Sequence, residues 1–353
     1  MPGCSWLDLS HDGRFRVGLQ AVLVDPLRDG VPAAWNAFVA EQRLLPLWRS
    51  ELLTTSAWCA QTPVLMGIAV DRSGSPVALF HARHVGVPVD PRRYLRPGSV
   101  APIGIVECRL SPVAVQPGLA FAAGLAEPDR AEAVGAFERA ARRRLRWRCL
   151  GLAYRHLTAA DLRLVRRRTR VVVETDPPVA IENKWADLRA YLAALPAKWG
   201  AQLRRIHETT EADPGLRVTV ESSVPAVEAI PLLQAVRARY QPPRLIRPPI
   251  PVRYLEQLTS LPGTHFLTYR DRAGRLLAFA AVHESRAGLC STFWGNRDRP
   301  DGGLPNLYFD QYLRAVRLMI EGGHPRLDLG KGQRSIKERY GARPTPCFSI
   351  AGR

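Results

Sequence analysis

The sequence predicts an α/β fold in which one mixed-sheet domain occurs twice in tandem, joined by a helical connector. Three observations lead there: a length of 353 residues, a pair of matching hairpins, and the same succession of elements after each hairpin. A chain this long exceeds what one core usually fills, so two domains are expected. The division falls at 176/177. An N-terminal domain covers residues 1–176, and a C-terminal domain covers residues 177–353, including a connector over 183–210.

The hairpins occupy residues 66–80 and 266–279. Each is a β-rich run, an Asp-Arg-x-Gly turn and a second apolar run, with Asp71 and Gly74 in one turn and Asp271 and Gly274 in the other. Asp and Gly are the residues a tight hairpin turn needs. After the first hairpin, residues 130–148 read as a helix with Val134, Phe137, Ala141 and Leu145 on one face. A strand over 149–154, a short helix opened by Thr158 and a strand over 171–173 follow. After the second hairpin, a helix over 306–321 points Phe309, Tyr312, Leu313, Val316 and Ile320 inward and stops at Gly322-Gly323. A strand over 327–329, a short helix over 335–340 and a strand over 347–350 complete the copy.

Between the copies, Asp176-Pro177-Pro178 reads as a linker and Asn183-Lys184-Trp185 opens a helix with Trp185, Leu188, Tyr191 and Leu192 inward. Pro196 restarts the helix as a first-turn proline. Residues 197–208 then carry Trp199, Leu203 and Ile206 on one side and Lys198, Gln202 and Arg205 on another. The proline-rich stretch 241–251 reads as ordered surface or a lid.

With 46% hydrophobic and 23% charged residues, the composition is that of a globular protein. No apolar run approaches a membrane span, and residues 1–6 lack the basic-then-apolar layout of a signal peptide. The six cysteines (Cys4, Cys59, Cys108, Cys149, Cys290, Cys347) have no paired spacing, which points to a reducing cytoplasm rather than a disulfide scaffold or zinc ribbon. The eight histidines show no metal-ligand spacing either, so neither a metal nor a bound cofactor is expected. A net charge of +18 points to a polyanionic partner. Two runs, Arg142-Arg143-Arg144 with Arg146 and Arg148, and Arg166-Arg167-Arg168 with Arg170, read either as phosphate contacts or as a solvated face enriched by codon bias.

Lysine is the informative residue. The chain holds four lysines against 46 arginines, and two of the four, Lys331 and Lys337, lie six apart in residues 327–342. A compact ammonium is not replaced by a planar guanidinium. Strand, glycine-bearing loop and short helix also place backbone N–H groups and cations beside an anionic ligand.

Asp328-Leu329-Gly330 followed by Lys337 and Tyr340-Gly341, with the helical pair over 185–208 and the helix over 307–321, resembles the Fem-like branch of the GNAT superfamily. The resemblance implies two tandem GNAT-like domains and amide-bond formation between an amine and an activated acyl donor. The donor it implies is aminoacyl-tRNA, so tRNA is an expected partner, and the acceptor is a small-molecule or peptide amine. Cell-wall peptide and natural-product biosynthesis are the settings it suggests. Acyl-CoA is the alternative donor. Residues 300–305 (Pro-Asp-Gly-Gly-Leu-Pro) lack the Arg/Gln-x-x-Gly-x-Gly/Ala loop that cradles a CoA pyrophosphate. A non-catalytic nucleic-acid-binding protein is a third reading.

The resemblance assigns Lys337 to the oxyanion or the terminal ribose-phosphate. Lys331, Arg334 and Arg339, by their nearness in sequence, read either as phosphate ligands or as surface charge. His283 or Glu284 is the candidate for taking the amine proton. Trp294, Asn296, Tyr308 and Asp310 are the candidate pocket lining. No nucleophile elbow is present, and an activated donor needs none.

Overall fold

A computed structural model of the chain describes residues 18–60, 63–86, 103–110, 114–240, 251–259 and 261–353. Residues 1–6, including Cys4, and the proline-rich stretch apart from Pro251 lie outside the described residues.

Two mixed sheets form the frame. The first runs β1 (Gln20–Val24), β2 (Val64–Val70), β3 (Pro76–Gly86), β4 (Gly104–Cys108), β6 (Cys149–Leu157), β15 (Cys347–Gly352), β7 (Arg170–Thr175), with β5 (Leu119–Phe121) pairing β3 off that path. The second runs β9 (Leu216–Glu221), β10 (Thr264–Asp271), β11 (Leu276–Ser285), β12 (Gly288–Asn296), β13 (Arg326–Asp328), β8 (Val179–Glu182), β14 (Arg343–Pro344). In each sheet four antiparallel strands meet one parallel neighbour, β4 with β6 and β12 with β13.

The duplication extends to single atoms. Asp71 Oδ1 accepts from the backbone N–H groups of Ser73 and Ser75, and Asp271 Oδ1 accepts from those of Ala273 and Arg275. Gly74 and Gly274 close the two turns at φ 81 and 78, a left-handed conformation that glycine adopts without a Cβ penalty. Both hairpins carry a register shift at the same place, between Ala69 and Val70 and between Tyr269 and Arg270.

One strand crosses between the copies. β15, the last strand of the chain, inserts between β6 and β7 of the first sheet, and β8 inserts between β13 and β14 of the second. The sequence expectation kept the strand over 347–350 with the second copy and placed none at 179–182. Sheet membership therefore crosses 176/177 once, through β15. Strand propensity says where a strand forms and not which sheet it joins.

Helices cover the inner faces. α3 (Glu127–Leu145) packs Val134 and Phe137 on the first sheet, and α4 (Ala159–Val165) is held by a capping box between Thr158 and Asp161. On the second sheet, α9 (Leu307–Glu321) buries Leu313, Val316 and Met319 completely, each roughly 1.5–3 kcal/mol of apolar burial. The connector helices α5 (Leu188–Ala194) and α6 (Ala197–Glu211) lie beside α9, with Tyr191 and Leu203 in the same core. Asp187, rather than Asn183, caps α5. A further core joins the two halves: Trp35 of α1 (Ala33–Glu41) and Leu52 of α2 (Ser50–Ala60) pack with Leu232 of α7 (Ala226–Tyr240) and Leu255 of α8 (Val252–Thr259).

Candidate active site

The parallel pairs differ between the copies, and that difference makes the site. β4 and β6 stay paired over five positions, from Gly104 with Cys149 to Cys108 with Tyr154. β12 and β13 pair at Leu289 with Leu327 and Cys290 with Asp328, then part. The chain beyond β13 turns away through Gly330 (φ 67) and Gln333 (φ 55) into α10 (Arg334–Arg339). α10 carries Lys337 into the gap.

Lys337 is 7% exposed, and its Nζ donates to the carbonyl oxygen of Leu329. Burial pushes its pKa down to about 8. An ammonium has three donors, so the Leu329 bond leaves two for a ligand. The end of α10 is clamped: the Tyr340 carbonyl accepts from Tyr191 Oη of α5 at 2.6 Å and from Tyr312 Oη of α9 at 3.0 Å. Gly341 follows at φ 88, where a Cβ would meet Leu195 at 3.2 Å. The Tyr-Gly pair therefore serves to hold the lysine helix in place.

Two cavities meet at this lysine. One of about 700 Å³ lies within the second half and one of about 570 Å³ lies between the halves, and both are walled by Thr292, Gly332 and Lys337. The larger cavity presents Arg237, Arg239, Arg297 and Arg299, and among the described residues no carboxylate lines it; Asp298 pairs with Arg239 at 3.2 Å. Tyr240, Trp294, Tyr308 and Phe309 give it aromatic walls. The smaller cavity takes Gln116, His156 and Thr158 from the first half and Asp328 and Lys331 from the second. Among the described residues no group of His, Cys, Asp and Glu could hold a metal ion, and no helix is long and apolar enough to cross a membrane.

No protein-family model matches the chain, and no curated protein matches it. Solved structures do. The structure of L-PGS from Bacillus licheniformis aligns with a TM-score of 0.59 at 13% identity, covering 93% of this chain and 92% of that one. Crystalline FemX aligns with a TM-score of 0.58 at 11% identity, covering 89% and 94%. The C-terminal domain of a putative lysylphosphatidylglycerol synthetase from Agrobacterium fabrum gives 0.56 at 14%, covering 90% of both chains. The fold is Fem-like.

Within this Fem-like fold the sequence-predicted residues separate into three groups. Lys337, Lys331, Trp294, Asn296 and Tyr308 line the cavities. His283 is fully buried and reaches the site through Thr292, whose Oγ1 lies 2.7 Å from His283 Nε2. Burial, with a smaller contribution from His265, pushes His283 down to about 3, so its imidazole is neutral at physiological pH.

The remaining four lie outside. Glu284 faces Arg43 at 3.7 Å and His265 at 3.6 Å and lines neither cavity. Asp310 is not a pocket residue: it is wholly buried, accepting from Tyr269 Oη at 2.8 Å, His207 Nδ1 at 2.7 Å and Arg314 Nε at 2.6 Å. Arg334 pairs with Glu338 at 2.8 Å, and Arg339 lies 4.9 Å over the Trp199 ring. Both point along the outside of α10, because only one face of so short a helix can meet the gap.

Sequence reasoning missed Thr292 and the arginines of the larger cavity. Thr292 sits in the apolar run that follows the second hairpin, so strand alternation held a usable signal for it. Arg237 and Arg239 lie on α7, which carried no motif.

Proposed function

We propose that the chain is an aminoacyl-tRNA-dependent transferase that joins an aminoacyl group to the amine of a small-molecule or peptide acceptor. The observation that carries this reading is the meeting of two cavities at a buried, partly desolvated lysine. The larger cavity suits the 3′ end of the donor RNA: guanidinium groups for phosphates, aromatic rings for unstacked bases, and no carboxylate to repel them. The smaller cavity is left for the acceptor.

The step balances without a protein nucleophile. The acceptor nitrogen attacks the ester carbonyl, the new C–N bond forms, and the C–O bond to the ribose breaks. The proton shed by the nitrogen goes to the departing ribose oxygen. Lys337, as a cation, donates to the oxyanion, and Thr292 lies on the wall that both substrates share.

Acyl-CoA is the second reading, favoured by the first turn of α9, which opens on the larger cavity. Against it, the backbone N–H groups of Gly302 and Gly303 already donate to Arg299 O and Asp298 O, so they are not free to cradle a pyrophosphate. Incubating the protein with charged bulk tRNA and a panel of amines separates the two. Product formation abolished by RNase is the expected result. Product that survives RNase, with tight CoA binding by calorimetry, would replace the aminoacyl-tRNA reading with the CoA one.

A further inference from the structure

The two arginine runs, which begin at Arg142 and Arg166, come together in space. β6 and β7 both pair antiparallel with β15, so they run parallel to one another and begin at the same end of the first sheet. Each is entered from a helix C-terminus through an arginine-rich turn: α3 through Arg146-Trp147-Arg148 into Cys149, and α4 through Arg166-Arg167-Arg168 into Arg170. Gly352 pairs with both Leu152 and Arg170, which sets those two residues two strand spacings apart, about 10 Å, with Cys149 three residues further along β6.

The charge there is largely unanswered. Arg144 pairs with Asp29 and Arg170 with Glu138. Among the described residues no carboxylate pairs with Arg142, Arg143, Arg146, Arg166, Arg167 or Arg168. Cations at a helix C-terminus complement its dipole, but the effect fades within the last turn and does not call for triplets. Arg166, Arg167, Arg168 and Arg170 with Val172 enclose a concavity of about 490 Å³. Beside this end, Trp147 is 65% exposed, with the Arg148 guanidinium 4.9 Å over its ring.

We propose that this end of the first sheet is the docking surface for the duplex body of a tRNA. The proposal rests on the donor reading above and adds where the rest of that molecule lies. The opposite ends of the same strands reach the inter-half cavity: Leu157 of β6 lines it, and Thr175 of β7 pairs with its wall residue Cys347. From Cys149 to Leu157 the strand spans about 26 Å at 3.3 Å per residue. A stem on the arginine end therefore sends its single-stranded terminus past the rim of the smaller cavity to Lys337, where the larger cavity takes the terminal nucleoside. An anionic membrane is disfavoured because a bilayer surface is flat on this scale, whereas the exposed Arg166, Arg167 and Arg168 around a hollow fit a convex phosphate ridge.

The test is equilibrium binding of labelled bulk bacterial tRNA to the full chain between 50 and 200 mM salt. The parent is compared with R142A/R143A/R146A and with R166A/R167A/R168A. Each triple variant is expected to bind at least tenfold more weakly at 100 mM salt. The slope of log affinity against log salt should also become shallower by roughly 0.9 for each phosphate that is no longer neutralised. R166K/R167K/R168K, which keeps the charge, should retain most of the slope and guards against a folding artefact. Unchanged affinity and slope in both alanine triples overturn the docking surface while leaving the donor reading intact. Triples that keep tRNA binding but lose co-sedimentation with phosphatidylglycerol vesicles would assign the surface to membrane instead. A parent that binds no tRNA at all sinks both this surface and the donor reading.

Discussion

Lys337 is buried at a cost to stability. Its pKa is pushed from 10.5 to about 8, so between those values the unfolded chain holds a proton that the folded chain has shed. Stability from this residue therefore rises with pH across that window, and the cost is fully present below about 8, on the order of 3 kcal/mol. Lys337→Met should unfold at the same or a higher denaturant concentration than the parent at pH 7. The parent should gain on the variant between pH 8 and 10, which chemical denaturation at two pH values checks. Transfer by the variant should fall by about 10²–10³, the usual loss of an oxyanion donor, and parental activity should decline on the alkaline side with a midpoint near 8. Thr292→Val makes a second prediction for a single side chain. It leaves His283 Nε2 without its partner and should destabilise by about 1–3 kcal/mol while slowing transfer. Thr292→Ser should restore both, as read by thermal melts and single-turnover rates.

Helices and strands place these side chains. α9 is tied to the connector by Asp310, which holds His207 of α6, Arg314 of its own helix and Tyr269 of β10 together. Burial works to raise the Asp310 carboxyl, but the bonds from His207, Arg314 and Tyr269 outweigh it and leave it below its ordinary value. Its contribution is thus present at neutral pH and lost only as pH falls through that lowered pKa. Asp310→Ala removes the acceptor shared by Tyr269, His207 and Arg314, leaves Arg314 with Glu211 alone, and should cost about 1–3 kcal/mol in denaturant titrations. Asp310 was expected to line the pocket and is a buried acceptor instead, because nothing local shows which donors from α6 and β10 converge on it. The opposite holds for Tyr340-Gly341. That pair was legible from resemblance, and the structure supplies its physical reason in the clamp on α10. The hairpin turns at Asp71 and Asp271 were legible outright, because a turn is decided by residues within it. Arg237 and Arg239 were not, because a cavity wall is assembled from distant elements.

In the molecule as a whole, the crossing of β15 into the first sheet and the shared core of α1, α2, α7 and α8 make the halves one unit. A chain ending at residue 176 lacks β15 and exposes the facing edges of β6 and β7, so it should aggregate when expressed alone. Co-expression of 1–176 with 177–353 should yield a soluble complex, read by size-exclusion chromatography. The crossing also explains why both halves can contribute to one cavity: β15 carries Cys347, a wall residue of the smaller cavity, from the second half into the first sheet. The decisive measurement is a structure with a 3′-aminoacylamido-adenosine, an unreactive mimic of the donor terminus. The adenosine should lie in the larger cavity, with the aminoacyl carbonyl within hydrogen-bond distance of Lys337 Nζ. An adenosine bound elsewhere, or a carbonyl out of reach of that nitrogen, would contradict the assignment of Lys337 and its two cavities to aminoacyl transfer.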